Sequence, residues 1–260
     1  MTETPTEFTG TGSQSDPLTF NAMRPSTPDQ ADRAVAGLAS ITTTHAANFS
    51  SSADLSANLP ADVREIVSKA SSAITSTLAT ARNARVKADS FRNDATLYPE
   101  GRELLAGEAV KAAVGQVTES FEQADTQIQI ASALTYEAAR PTISADAAMP
   151  ARADLQMMTA RHKNDPGGLV DTLKRLAQRS DGVGALVADQ GYLRDFLDAR
   201  GVEPDTRDAI LTTVGAQMVQ AAAVSGDPKR AAAARTNLAL TELRKARIAA
   251  TSFTRHLLQR

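Results

Sequence analysis

The stretch TLYPEGRELLAGE, Thr96 to Glu108, sets a proline and a glycine between two long helical patterns, and its reading decides the fold. A proline inside a helical pattern either kinks the helix or ends it, so this segment separates an extended rod from a chain that doubles back. Pro99 has no N–H to donate and disfavours helical geometry at Tyr98, which ends the first helix near that residue. Pro99 then suits the first position of the next helix, with Glu100 and Glu103 beside its positive end. A kinked rod requires one apolar stripe to stay in phase across the break. Instead the stripe reaches Ala95, and Leu97, Tyr98, Leu104 and Leu105 gather around the turn, which reads as an apolar plug closing a hairpin tip.

Working outward, the preceding helix carries Val63, Ile66/Val67, Ala70, Ile74, Leu78, Ala81, Ala84, Ala88, Phe91 and Ala95 three or four residues apart. The following one carries Val110, Val114, Val117, Phe121, Ala124, Ile128, Ala131 and Leu134 or Thr135, an alternation of four and three. Before them, Pro28 starts a helix that runs to about Ser50, with Thr27 as its cap. Beyond residue 140 the breaks thicken: Pro141 to Ser144, Met149-Pro150, Asp165-Pro166-Gly167-Gly168, Ser180-Asp181-Gly182, Gly191, Gly201, Glu203-Pro204 and Gly226-Asp227-Pro228. Short apolar faces lie between them: Leu169/Val170, Leu173, Leu176 and Ala177; then Tyr192, Leu193, Phe196 and Leu197; then Ile210, Leu211, Val214, Met218 and Val219. Asp227-Pro228 caps a last helix over 228–260, with Ala239, Leu243, Ala246, Ala250, Phe253 and Leu257 on one seam.

No segment sustains the period-2 alternation of a strand, so the fold class is all-α. Three regions follow in order. Residues 1–26, with nine Ser/Thr, three Pro and two Gly, make an extended or disordered arm. Residues 27–140 make a long-helix region with the hairpin, and residues 141–260 a C-terminal bundle of shorter helices.

Aromatics are only 4% of 260 residues and Trp is absent, so the apolar 42% rests mainly on Ala, Leu, Val and Ile. Such a chain packs helices closely but buries little area per residue, which predicts a thin core completed by neighbouring subunits. Absence of Cys excludes disulfides, thiolate metal sites and cysteine nucleophiles. A net charge of −2 gives no general drive toward nucleic acid or anionic membrane. The opening MTETPTEFTGTGSQSD lacks the basic and apolar regions of a signal peptide, and no run is long enough to span a bilayer.

The three histidines, His45, His162 and His256, are preceded at i−3 by Thr42, Thr159 and Phe253, so the Glu-x-x-His pairs of a di-iron bundle are missing. No His-x-x-x-His pair suits zinc either. A Gly-x-Ser-x-Gly elbow is absent, and Gly182-Val183-Gly184 and Gly10-Thr11-Gly12 read as turn or linker glycines. The expectation is a protein without catalytic residues, metal or cofactor. Candidate partner contacts are the arm's Phe8, Leu18 and Phe20, the tip's Tyr98, and the last helix's Arg235, Arg244, Lys245 and Arg247. From Pro228 to Arg260 that helix holds eight Lys/Arg against Glu242 alone. Three readings stand for this charge: a solvated face, a dock for an acidic protein, or phosphate contact with nucleic acid, the last weakened by the lack of interleaved aromatics.

Leu97-Tyr98-Pro99-Glu100-Gly101-Arg102, with the Ala/Glu-rich helix after it, resembles helical virion and morphogenesis proteins of tailed bacteriophages of GC-rich, actinobacterial-type hosts. The resemblance covers residues 90–140, and the 21 Arg against 7 Lys fit a GC-rich genome. It implies a scaffold, a neck or an internal head component, in the virion or the host cytoplasm, working by self-association and contacts with other structural proteins. The alternative is a soluble helical adaptor that binds an acidic protein or nucleic acid through its basic last helix.

Overall fold

The computed structural model describes residues 8–9, 19–20, 28–162 and 165–259. A two-residue antiparallel ladder comes first: β1 (Phe8–Thr9) pairs with β2 (Thr19–Phe20), Phe8 opposite Phe20 and Thr9 opposite Thr19. The rest is helical: α1 (Pro28–Ser52), α2 (Ala61–Arg92), α3 (Pro99–Ala139), α4 (Ala145–Ala160), α5 (Pro166–Ala177), α6 (Gly182–Ala188), α7 (Gln190–Asp198), α8 (Pro204–Ala223) and α9 (Pro228–Leu258). The all-α class read from the sequence is the class of the structure. Leu18 and the expected cap Thr27 lie outside the described residues.

Contacts group the chain into two compact units in an order different from arm, hairpin and bundle. One holds residues 1–46, 72–122 and 245–260, the other 47–71 and 123–244. The reason is length: α1, α2, α3 and α9 each contribute a segment to both units.

In the first unit, Ile74, Leu78, Ala81, Ala84 and Ala88 of α2 are buried as their spacing demands. On α3 the seam begins differently from the sequence reading. Ala106 and Ala113 are buried with Val117 and Phe121, whereas Val110 is half-buried and Val114 is 45% exposed. Reading by hydrophobicity favours valine, but close helix packing selects the smaller side chain, and alanine lies on that line. Thr80, Asn83, Ala84 and Lys87 of α2 face Ala109, Ala112, Ala113 and Gln116 of α3 across a cleft. Near the turn Arg92 Nε lies 3.5 Å from Glu103 Oε2. These are the pairings of a chain that doubles back at Pro99. The turn is held by Asp94, whose Oδ1 accepts from Thr96 N (2.9 Å) and Thr96 Oγ1 (2.6 Å), and by Arg102 Nε donating to the Leu97 carbonyl at 2.9 Å.

In the second unit, short helices start on aspartates. Oδ1 of Asp165, Asp181 and Asp189 accepts from Gly168 N, Gly184 N and Tyr192 N at 2.9, 3.0 and 3.0 Å. Asp227 does the same for α9, accepting from Lys229 N at 2.9 Å. These caps satisfy N–H groups that a helix start leaves without partners. After α7, Gly201 takes a φ of +70°, and Val202 N bonds back to Leu197 O, a Schellman stop that glycine allows without strain. One sequence break is not a break, and three punctuating glycines are helical. Pro150 lies inside α4, which starts five residues earlier, and Gly182, Gly184 and Gly191 belong to α6 and α7 rather than to turns. Each lies in the opening half of its helix, where packing offsets the local cost of about 1 kcal/mol for a glycine and about 3 kcal/mol for a proline.

The centre of this unit is α6, whose residues Val183 to Ala188 are all buried. A helix apolar on every side needs neighbours on every side, and α4, α5, α7 and α8 supply them. Polar ties add to this packing. Tyr136 OH donates to the Ala188 carbonyl at 3.1 Å, and Arg140 Nη2 donates to Asp189 Oδ2 at 2.9 Å. Asn237 Nδ2 donates to Ser132 O (2.9 Å) and Thr135 Oγ1 (2.8 Å), which explains why Thr135 rather than Leu134 is the buried choice on α3.

The Asp181 cap carries a pH signature. Burial opposes ionisation, but the Gly184 N–H and the Arg179 guanidinium outweigh it and hold the carboxyl below its ordinary value of 3.8. A depressed folded pKa means that the stabilisation is complete above the unfolded value and is lost as pH falls through the folded one. Asp181→Ala is therefore expected to cost about 1 kcal/mol at neutral pH. The difference from wild type should shrink in urea titrations run at pH below the ordinary aspartate value.

Candidate functional site

The basic residues of α9 have different surroundings. Arg235 Nη2 pairs with Asp54 Oδ2 at 2.5 Å, and Thr236 Oγ1 donates to Asp54 O at 3.3 Å. The Ser56 hydroxyl and then Arg235 hold the Asp54 carboxyl below its ordinary value. Arg244 Nη2 reaches Ser132 Oγ at 3.5 Å from an exposed position, and Lys245 is exposed. Arg247 is half-buried, its Cζ 3.8 Å from the centre of the Phe121 ring and its Nη1 bonded to Thr251 Oγ1. So Arg235 and Arg247 each make a contact within their own unit, while Arg244 and Lys245 are exposed. Asp54→Asn is expected to cost less than 1 kcal/mol at neutral pH, because the pair is partly solvated. A urea midpoint that falls by more than this contradicts the assignment.

The hairpin tip also departs from expectation. Leu97 and Leu105 are half-buried, but Tyr98 is 87% exposed and Leu104 63%. The apolar plug is not formed: Tyr98, just before α3, and Leu104, in its second turn, stand outward while Ala106 takes the inward position. Phe8 and Phe20 lie opposite one another in the β1–β2 ladder.

A third place was missed in the sequence. At the end of α4 and along α5, Arg161, Arg175 and Arg179 line a cleft of about 400 Å³ together with Thr172, Met157, Met158 and Leu176. A larger cleft of about 840 Å³ lies beside it, lined in part by His162, Leu169, Arg200 and Glu203. His162, which lines the larger cleft, bonds to Thr172 of the smaller one. Its Nε2 is 3.0 Å from Thr172 Oγ1, and its Nδ1 is 3.4 Å from Asp165 Oδ2. Hydroxyl, imidazole and carboxylate thus stand in the order of a nucleophilic triad. Two contacts change that chemistry. Arg161 Nε donates to the same Nε2 at 3.0 Å, and Arg175 Nη2 donates to Thr172 Oγ1 at 3.3 Å. A general base needs the Nε2 lone pair to take the hydroxyl proton, and here a guanidinium occupies it. The cluster holds arginines in place around the cleft. Asp165 fits the same role: the Gly168 N–H, then His162, hold its carboxyl below the ordinary range despite desolvation.

Neither His45 nor His256 joins this cluster, and among the described residues no group of three or more His, Asp or Glu converges as metal ligands would. No helix among them is long and apolar enough to cross a membrane. The arginine cluster has no linear signature, because Arg161 and Arg175 lie on different elements and arginine near a helix end reads as a complement to the helix dipole. Comparison with known protein families, with curated proteins and with solved structures found no match.

Proposed function

We propose that this chain is a non-enzymatic structural protein that assembles with copies of itself and with other structural proteins, as a scaffold, neck or internal head component of a phage-like particle. The observation that carries the reading is the hairpin tip. Tyr98 and Leu104 stand 87% and 63% exposed there, with Val86 on α2 at 69%. Large apolar side chains held outward on ordered helices favour burial against another surface. The Ala-lined helices add support, since they bury little area themselves and leave part of the driving force to neighbours. The phage setting rests on the resemblance of Leu97 to Arg102 and the helix after it.

The adaptor reading draws less support, because Arg235 pairs with Asp54 and Arg247 packs on the Phe121 ring. Sedimentation velocity on the Tyr98→Ser/Leu104→Ser variant tests the tip. Each side chain contributes about 2 kcal/mol when fully buried, so self-association is expected to weaken by about tenfold or more. Monomer stability should stay within about 0.5 kcal/mol of wild type, since neither residue is in the core. Unchanged association with unchanged stability removes the tip from the assembly surface.

A further inference from the structure

The cleft between α4 and α5 carries more positive charge than its own folding uses. Arg179 is neutralised in place: its Nε donates to Asp181 Oδ2 at 2.8 Å and its Nη2 bonds the same oxygen. Among the described residues neither Arg161 nor Arg175 forms an ion pair with a carboxylate; their contacts are the His162 ring and the Thr172 hydroxyl. Three guanidiniums against one carboxylate leave two positive charges facing a space of about 400 Å³. Arginine forks match phosphate oxygens in geometry, and clefts of this size hold small organic molecules.

The charge count selects among anions. A carboxylate neutralises one guanidinium, whereas a phosphate monoester carries nearly two negative charges at neutral pH. The walls select further. Met158 and Leu176 give one side of the cleft an apolar, adaptable surface, and methionine sulfur packs well against flat rings. The helix-dipole explanation of the arginines is met by Arg175 in the last turn of α5 and by Arg161 just past α4. It does not account for their convergence on one cleft that Thr172 also lines.

The geometry points to a binding site for an organic phosphate monoester with a flat apolar body, of the size of a nucleoside monophosphate, held by Arg161 and Arg175 with Thr172 as a further hydrogen-bond partner. The same chemistry is presented by a free nucleotide and by the 5′-phosphorylated end of a strand.

Calorimetric titration of the full chain with adenosine monophosphate, inorganic phosphate and adenosine tests the site. Saturable binding of the nucleotide is expected, with a dissociation constant of about 1 mM or tighter, and weaker binding of phosphate and adenosine alone. Arg161→Gln/Arg175→Gln should weaken nucleotide binding by about tenfold or more while the circular dichroism spectrum and melting temperature remain those of wild type. Arg175→Lys, which keeps the charge and loses the fork, should fall between the two. A 5′-phosphorylated oligonucleotide that competes for the site, where its unphosphorylated twin does not, assigns the strand end as a source; competition by neither assigns the free nucleotide. No saturable binding overturns the inference. So does equal affinity in the folded double variant, or phosphate alone binding as tightly as the nucleotide.

Discussion

Phe253→Ala is expected to destabilise the protein by about 4 kcal/mol, seen as a fall of roughly 10 °C in melting temperature. Phe253 is 0% exposed, in a chain with seven Phe and no Trp. The buried residues near it in sequence on α9 are Ala246, Ala249, Ala250, Thr254 and Leu258, three of the five being alanines. Alanines cannot extend to refill the space that a lost ring leaves, so the cavity term is added to the transfer term with little relaxation. The Arg82 guanidinium, 5.4 Å from the ring centre, also loses its aromatic partner. Phe253→Leu keeps most of the volume and should recover most of the loss, to within about 1.5 kcal/mol of wild type. A loss below about 1 kcal/mol for the alanine variant, in the surface range, contradicts the placement of this ring in the core.

Gly184→Ala carries the second large effect, and its sign is diagnostic. By helix propensity alone the change is favourable by about 1 kcal/mol, because alanine is the better helix former. In the structure a Cβ at this position overlaps with the carbonyl of Arg179, in the segment between α5 and α6. The helix has nowhere to retreat, since α4, α5, α7 and α8 pack around it. The expected outcome is a loss of about 3 kcal/mol. Gly115→Ala is the control: nothing lies within 4 Å of a Cβ built there, on α3, so that variant should gain up to about 1 kcal/mol. Equal gains at both sites in a urea titration refute the close packing of α6.

The same glycine shows where sequence reading stops. Period and punctuation made the helical class, the start of α3 at Pro99 and the capped start of α9 at Asp227-Pro228 legible, because a proline or an aspartate acts on its immediate neighbours. The burial of Val67, Ile74, Leu78, Ile128 and Leu243 was legible too, since large apolar residues recurring at helical spacing have one face to occupy. What was not legible depends on the partner surface. Ala113 replaces Val114 on the seam because the buried line through Phe121 and Val117 runs on to Ala113 and Ala106. Gly184 looks like a turn residue until the Arg179 carbonyl is seen against it. Pro150 looks like a break until the five residues before it are seen to be helical.

The candidate sites divide in the same way. Tyr98 was named as a contact from its position at the turn, and the structure places it outward. Arg235 and Arg247 were named from charge alone, and charge does not reveal that Asp54 and the Phe121 ring receive them. Arg161, Arg175 and Arg179 were passed over because no spacing joins residues on separate elements; their convergence appears only when α4 and α5 are packed.

The central claim is that this protein works by assembling. The mass of the full chain in solution, followed by light scattering as concentration rises, tests it most directly. The account predicts a defined multiple of 27.4 kDa that dissociates on dilution, and a shift toward the single-chain mass for Tyr98→Ser/Leu104→Ser. A mass of 27.4 kDa at every concentration, with wild type and variant indistinguishable, contradicts it.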